Sequence, residues 1–176
     1  MTASDCFVSG EVDGERRFHV PIHVRWRDLD AYGHVNNATL FTLLEEARIA
    51  AFWRDPSGEL DPARPLAVVG ATGEVDTITL IAGHQIEYLA PIEHGGGPLD
   101  VQMWVSRLGA ASAEVSYDIC SPHGQRPHVR YASARSAIVF VDRASNRPRR
   151  ITDDERAAWA PFVGPARPMR ADRRDA

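Results

Sequence analysis

The sequence contains no lysine; all twenty basic residues are arginine. A fork-shaped guanidinium is not required at every one of those positions, so the absence reads as coding bias rather than chemistry. Cysteine is almost as scarce. Cys6 and Cys120 are too few for a disulfide framework, and neither belongs to a CxxC pair. No apolar run approaches membrane-spanning length. The opening MTASDCFVSG has no basic start followed by an apolar core, so no signal peptide is expected. Asn37-Ala38-Thr39 spells a glycosylation acceptor, which has meaning only in a secreted protein. The expected compartment is the cytoplasm, with no membrane partner. Gly95-Gly96-Gly97 precedes neither Lys-Ser/Thr nor a helical pattern, which makes it a turn rather than a phosphate loop.

What is present is ordinary in bulk and uneven in detail. The 176 residues suit one domain, and 44% hydrophobic with 25% charged residues is a globular composition. A net charge of −4 gives no general reason to expect nucleic acid as a partner. From Arg143 onward nine Arg face five Asp or Glu, hence +4, which leaves −8 for the preceding body. The chain divides into a flexible N-terminus over 1–14, a single domain over 15–163, and a disordered basic tail over 164–176.

Period-two alternation in RFHVPIHVRW sets Phe18, Val20, Ile22, Val24 and Trp26 against Arg17, His19, His23 and Arg25. That pattern predicts a half-buried strand, with Pro21 at an edge or strand start. From Ala38 to Trp53 apolar residues cover most of a helix circumference, predicting a helix buried nearly all round. Asp55-Pro56-Ser57-Gly58 stops it. Four strand patterns follow: TITLIAGHQIEYLAPI with a bulge at Gly83, LDVQMWVSRLG, ASAEVSYDIC and VRYASARSAIVFV, whose final apolar run suits a central strand. Thr152 and Glu155 have the spacing of a capping box. One greasy helix among about five strands needs an antiparallel sheet curled around it, an α+β arrangement.

Between the first strand and the helix lies DLDAYGHVNN, residues 28–37. A helix start presents unpaired N–H groups and partial positive charge, which can hold an anion or a carbonyl oxygen on which charge develops. Turn and cap chemistry accounts for Asn36 and Gly33. It accounts poorly for Asp30 and His34 together just before the helix.

These residues resemble the hotdog-fold acyl thioesterases, in the branch typified by 4-hydroxybenzoyl-CoA thioesterase. That branch carries D-x-D-x-x-G-H-V-N-N followed by a helix ending E-E-A-R; here stand Asp28, Asp30, Gly33, His34, Val35, Asn36 and Asn37, then Glu45, Glu46, Ala47 and Arg48. EYLAP, RLGAAS and VFVDRASNRP match later pieces of the pattern, so the resemblance spans about residues 17–151. The motif is also similar to that of plant acyl-carrier-protein thioesterases. Those enzymes have Asn where this chain has Tyr32, and many bacterial members have an aromatic where it has Leu40.

The resemblance implies a hotdog fold and hydrolysis of an acyl-CoA or acyl-carrier-protein, with the coenzyme A thioester as substrate and no cofactor. It makes Asp30 the catalytic carboxylate, as general base or nucleophile, with backbone N–H groups near Val35 to Ala38 stabilising the oxyanion. His34 and Asn36 position water or the carbonyl, and Glu46 matches an acidic position of the plant-type site, with Glu45 its rival. Tyr32, Gly33, Val35, Asn37 and Leu40 surround the substrate, while Arg64 and Arg107 are candidates for its phosphates. Asp28 is expected to be structural. A homodimer or homotetramer is implied. His19 and His23 share a strand face without an identifiable third ligand, so no metal is expected. Two alternatives stay open. An enoyl-thioester hydratase would have four residues between Asp and His, against three from Asp30 and five from Asp28. A non-catalytic acyl-thioester binder would have no evident need for Asp30.

Overall fold

The computed structural model describes residues 7–8, 15–54, 64–69, 77–170 and 172. The alternation in the first pattern becomes β2, Phe18–Ile22, preceded by a two-residue β1 at Phe7–Val8 that pairs with it. Phe18, Val20 and Ile22 are fully buried, each worth about 1.5–3 kcal/mol relative to exposure. Four long strands follow the helix: β3 (Thr77–Tyr88), β4 (Leu99–Leu108), β5 (Ser112–Cys120) and β6 (Arg130–Asp142). A short β7, Arg147–Pro148, turns back onto β6. All pairings are antiparallel and the order is β1-β2-β4-β5-β6-β3. The five expected strands are therefore the long ones, and two minimal strands extend the sheet.

The sheet holds α1, Asn37–Phe52, on its concave side. Leu40, Leu43, Leu44, Ala47 and Ala51 face the core formed by the inward rows of the strands. The expectation of burial nearly all round is corrected: Thr42, Glu45 and Ile49 form an exposed stripe, while Arg48 is buried. That stripe lies one helical turn apart per step, so a single side of the helix is left uncovered. The expected stop at Asp55 to Gly58 lies outside the described residues; within them α1 ends at Phe52. Arg64 is buried against that end and donates to Ala50 O at 2.8 Å and Trp53 O at 2.6 Å, supplying partners for terminal carbonyls.

Two other local readings hold. The register shifts between Ile81 and Gly83, giving the irregularity expected there. Thr152 caps α2, Asp153–Trp159, and Glu155 returns a bond to the Thr152 N–H at 2.8 Å, completing the capping box.

The tail does not follow the disordered reading given to 164–176. Residues 164–170 cross the convex face of the sheet, and 171 and 173–176 lie outside the described residues. Trp104 Nε1 donates to Pro165 O at 2.8 Å, Arg167 N donates to Ser116 Oγ at 3.1 Å, and Met169 is fully buried. The reason is the polar and aromatic row beneath. Arg17 and Arg167 both stack over the Trp104 ring, and both pair with the buried carboxylate of Asp118. Composition alone suggests a solvated tail because the partners that order it lie on distant strands.

Candidate active site

The junction is built around Asp28 and Asp30. After β2 the chain makes a 3₁₀ turn, Trp26–Asp28, in which the buried Asp28 accepts from Arg25 N at 2.7 Å and Arg25 Nε at 3.0 Å. Burial pushes this carboxyl up, yet the Arg25 hydrogen bonds outweigh it and hold it below the ordinary value. Asn36 N donates to Asp28 O at 2.9 Å, which fixes the helix start. These bonds commit the Asp28 side chain to the turn and its carbonyl to the helix start.

Asp30 closes the next loop. Its Oδ1 accepts from Tyr32 N at 2.8 Å and His34 N at 3.2 Å, while its own N–H donates to His34 O at 2.7 Å. Gly33 sits at φ +79°, a conformation that favours glycine, with its N–H on Asp30 O at 3.1 Å. Asp30 is half-buried, and its Oδ2 makes no hydrogen bond among the described residues. Turn formation thus occupies one carboxylate oxygen and leaves the other.

Beside this loop opens a cleft of about 360 Å³ lined by His34, Val35, Leu40, Tyr88, Ile92 and Tyr131, with the 89–91 segment as its wall. Tyr88 hydroxyl donates to Asn37 O at 3.0 Å. Burial pushes its phenol up, so it stays a neutral donor near pH 7. The expected donor set narrows. Val35 N is taken by Ile92 O, Asn36 N by Asp28 O, and Ala38 N by the Asn36 cap oxygen. The Asn37 N–H is the one in that run with no partner among the described residues. Asn36 uses its side-chain oxygen for the cap at 2.8 Å, which fixes the side chain at the helix start.

A profile of the thioesterase-like superfamily matches residues 24–161, which includes the loop, the helix and the cleft. The chain belongs to the thioesterase-like superfamily. Solved structures agree. A candidate thioesterase from Pseudomonas aeruginosa (the PA2801 protein) is 30% identical over 80% of this chain and 95% of that one, with a TM-score of 0.60. A candidate acyl-CoA thioesterase from Xanthomonas campestris is 30% identical over 70% of this chain and 92% of that one, at 0.55. A Thermus thermophilus thioesterase solved with coenzyme A and zinc is 25% identical over 85% of this chain and 95% of that one, at 0.60. No curated protein matches the sequence. The architecture is the hotdog fold.

Several residues that the superfamily motif suggested lie away from the cleft. Glu46 pairs with Arg25 at 3.3 Å and does not line it. Glu45 lines a different cavity, under the C-terminal half of α1. Tyr32 points outward from the loop tip at 86% exposure, so within one chain it does not flank the cleft. Arg64 is committed to helix carbonyls, which corrects its assignment to phosphate. Arg107 is exposed eight residues along β4 from Leu99, the end nearer the loop, or about 26 Å of extended strand. Sequence reasoning missed Tyr131 and Ile92. Tyr88 belonged to a matched motif, but nothing in its spacing showed that it reaches the helix start.

His19 does find partners, though not His23. Its Nδ1 lies 2.8 Å from Asp100 Oδ1, and His123 Nδ1 lies 3.9 Å from Asp100 Oδ2, close enough for three ligand atoms to share an ion. The surrounding hollow on the convex face also carries Arg17, Arg126, Arg130 and Arg167. That excess of positive charge opposes a cation.

Proposed function

We propose that this protein hydrolyses an acyl thioester, an acyl-CoA or acyl-carrier-protein, to free acid and thiol. The observation that carries the reading is the Asp30 carboxylate, held by two N–H groups through one oxygen in the loop whose His34 and Val35 line a largely apolar cleft at the helix start. A thioester carbonyl at the Asn37 N–H meets the positive end of α1, which favours the oxyanion. Asp30 Oδ2 then takes a proton from attacking water and returns it to the departing thiolate. If it attacks directly instead, a mixed anhydride forms, the thiolate leaves, and water hydrolyses the anhydride. His34 orients water or carbonyl, and Leu40 and Tyr131 bound the acyl group.

The proposed working form is a homodimer, or a larger assembly of such dimers, joined through β3. That strand ends the sheet order, and an unpaired edge invites pairing. Leu80, Ile81 and Tyr88 on it are 49%, 39% and 46% exposed, and Ile49 of the open helix stripe is 39% exposed nearby in the same cavity rim as Ile81. Neither β2 nor β6 is a free edge: β6 lies between β5 and β3, and β2 between β1 and β4.

A panel of acyl-CoA substrates, followed through free thiol, tests the activity. Thiol release from at least one supports it. Hydration of an enoyl thioester without thiol release, or tight binding without turnover, would replace it with one of the two alternatives.

A further inference from the structure

Arg48 is a cation in an unusual position. It is 8% exposed, its Nη1 makes no hydrogen bond, and no carboxylate of the described residues forms an ion pair with it. It lines a cavity of about 140 Å³ between α1 and the sheet, whose other walls include Phe52, Val105, Val115, Ile138, Phe140 and Trp159. The Arg48 backbone is about 17 Å along the helix from Asn37, eleven residues on, and the cavity shares no lining residue with the cleft near Asp30. Nearby, outside the cavity lining, the fully buried Tyr117 hydroxyl lies beside Arg48 and Ser136. The Arg48 charge reaches both Tyr117 and His84.

The largely apolar walls give the buried Nη1 no partner to replace its water, and a buried charged donor left unpaired is unfavourable. A carboxylate matches the guanidinium fork with two parallel N–H···O bonds, and an apolar body behind it matches the walls. The size is informative as well, because an apolar cavity of about 150 Å³ accommodates benzene. We propose that this cavity is a binding site for a small apolar carboxylic acid, of benzoate or hexanoate size, with its carboxylate on Arg48. Its mouth is bordered by Glu45, Ile49 and Ile81, all exposed in the single chain; Ile49 and Ile81 lie on the face assigned above to the β3-paired dimer, so the site opens at that interface. Glu45 repels an entering acid, so Glu45→Gln should tighten binding a few-fold. The inference concerns binding alone and stands whether or not the protein is a hydrolase. If it is one, an acid of this class is also the class of its product.

Isothermal titration of the full chain with benzoate, hexanoate and toluene tests the site. Wild type should bind at least one acid more tightly than toluene. Arg48→Met keeps the length and removes the charge; it should weaken the acid at least tenfold while leaving toluene within threefold. Ile138→Trp fills the chamber with Arg48 intact and should abolish binding of both. Equal acid binding by wild type and Arg48→Met overturns the proposal. So does toluene binding without acid binding, which would mean that water or a second copy of the chain satisfies Arg48, and so does no binding at all. Should Arg48→Met fail to fold, Arg48→Lys and Ile138→Trp decide. A weakened acid with unchanged toluene in the first, and loss of both in the second, uphold the site, and unchanged acid binding in either overturns it.

Discussion

Asp30→Asn separates the two roles of one side chain. An amide is nearly the same shape as a carboxylate and keeps an oxygen acceptor, so Tyr32 N and His34 N retain a partner for their bonds of 2.8 and 3.2 Å. Each bond changes from charge-assisted to neutral, a difference of about 1 kcal/mol at most. Because Asp30 is half-exposed, the total should stay near about 1 kcal/mol, or roughly 2–4 °C in Tm for a chain of this size. Hydrolysis should fall much further. Loss of the group that accepts the proton costs about 10²–10⁴-fold, or about 3–5 kcal/mol at about 1.4 kcal/mol per decade. Asp30→Ala removes the acceptor as well, adding about 1–3 kcal/mol of destabilisation for two stranded N–H groups that lose their shared partner. The assay is thiol release on the best acyl-CoA, with thermal unfolding of each variant alongside. An Asp30→Asn protein that keeps more than a third of wild-type kcat/KM refutes the reasoning. It would leave Asp30 as a turn-former and nothing more.

Leu40→Trp enlarges a cleft wall that is 2% exposed, and should shift the preferred acyl group to a shorter one at about 1–3 kcal/mol of overpacking; an unchanged substrate profile places the acyl group elsewhere. Light scattering at micromolar concentration should give at least twice 19.4 kDa, and a fully active species of 19.4 kDa would defeat the β3-paired dimer. Glu155→Gln tests a pH-dependent contact. Burial pushes the Glu155 carboxyl up, but the Arg149 fork and the Thr152 N–H hold it below its ordinary value of 4.5. A depressed folded value means that the stabilisation is present above the unfolded value and is lost as pH falls through the folded one. The variant should therefore be less stable by about 1–3 kcal/mol at pH 7, with the difference from wild type closing below pH 4.5; a gap independent of pH would refute the charge's role.

Local chemistry made much of the fold legible. Alternation found the inward row of β2, and the run AIVFV marked β6 as a central strand. The capping box and the irregularity at Gly83 follow from residue types a few positions apart. What depends on register across the sheet was not legible. Asp118 meets Arg17 and Arg167 only because β2, β4, β5 and the tail converge on the convex face, at separations of 101 and 49 residues. No periodicity encodes those meetings. The same limit hid Arg48, since a helix wheel shows one charge among apolar neighbours but not whether it reaches water.

For the site, the spacing of Asp30, Gly33 and His34 was informative because the loop is local, yet turn chemistry and catalysis were treated as competing explanations. On the proposed hydrolase reading they are one arrangement. Two N–H groups bind one oxygen, and a planar carboxylate anchored at Oδ1 has little freedom in where it directs Oδ2. Gly33 makes this possible, because its positive φ brings His34 back to close the loop on Asp30. On that reading the turn also orients the free oxygen. The Asn36 cap does the corresponding work at the helix by taking Ala38 N and leaving Asn37 N. Asp30 Oδ2 and Asn37 N are an acceptor and a donor at the junction with no partner among the described residues. A water-activated acyl transfer asks for that pair: a base for the water and a donor for the oxyanion.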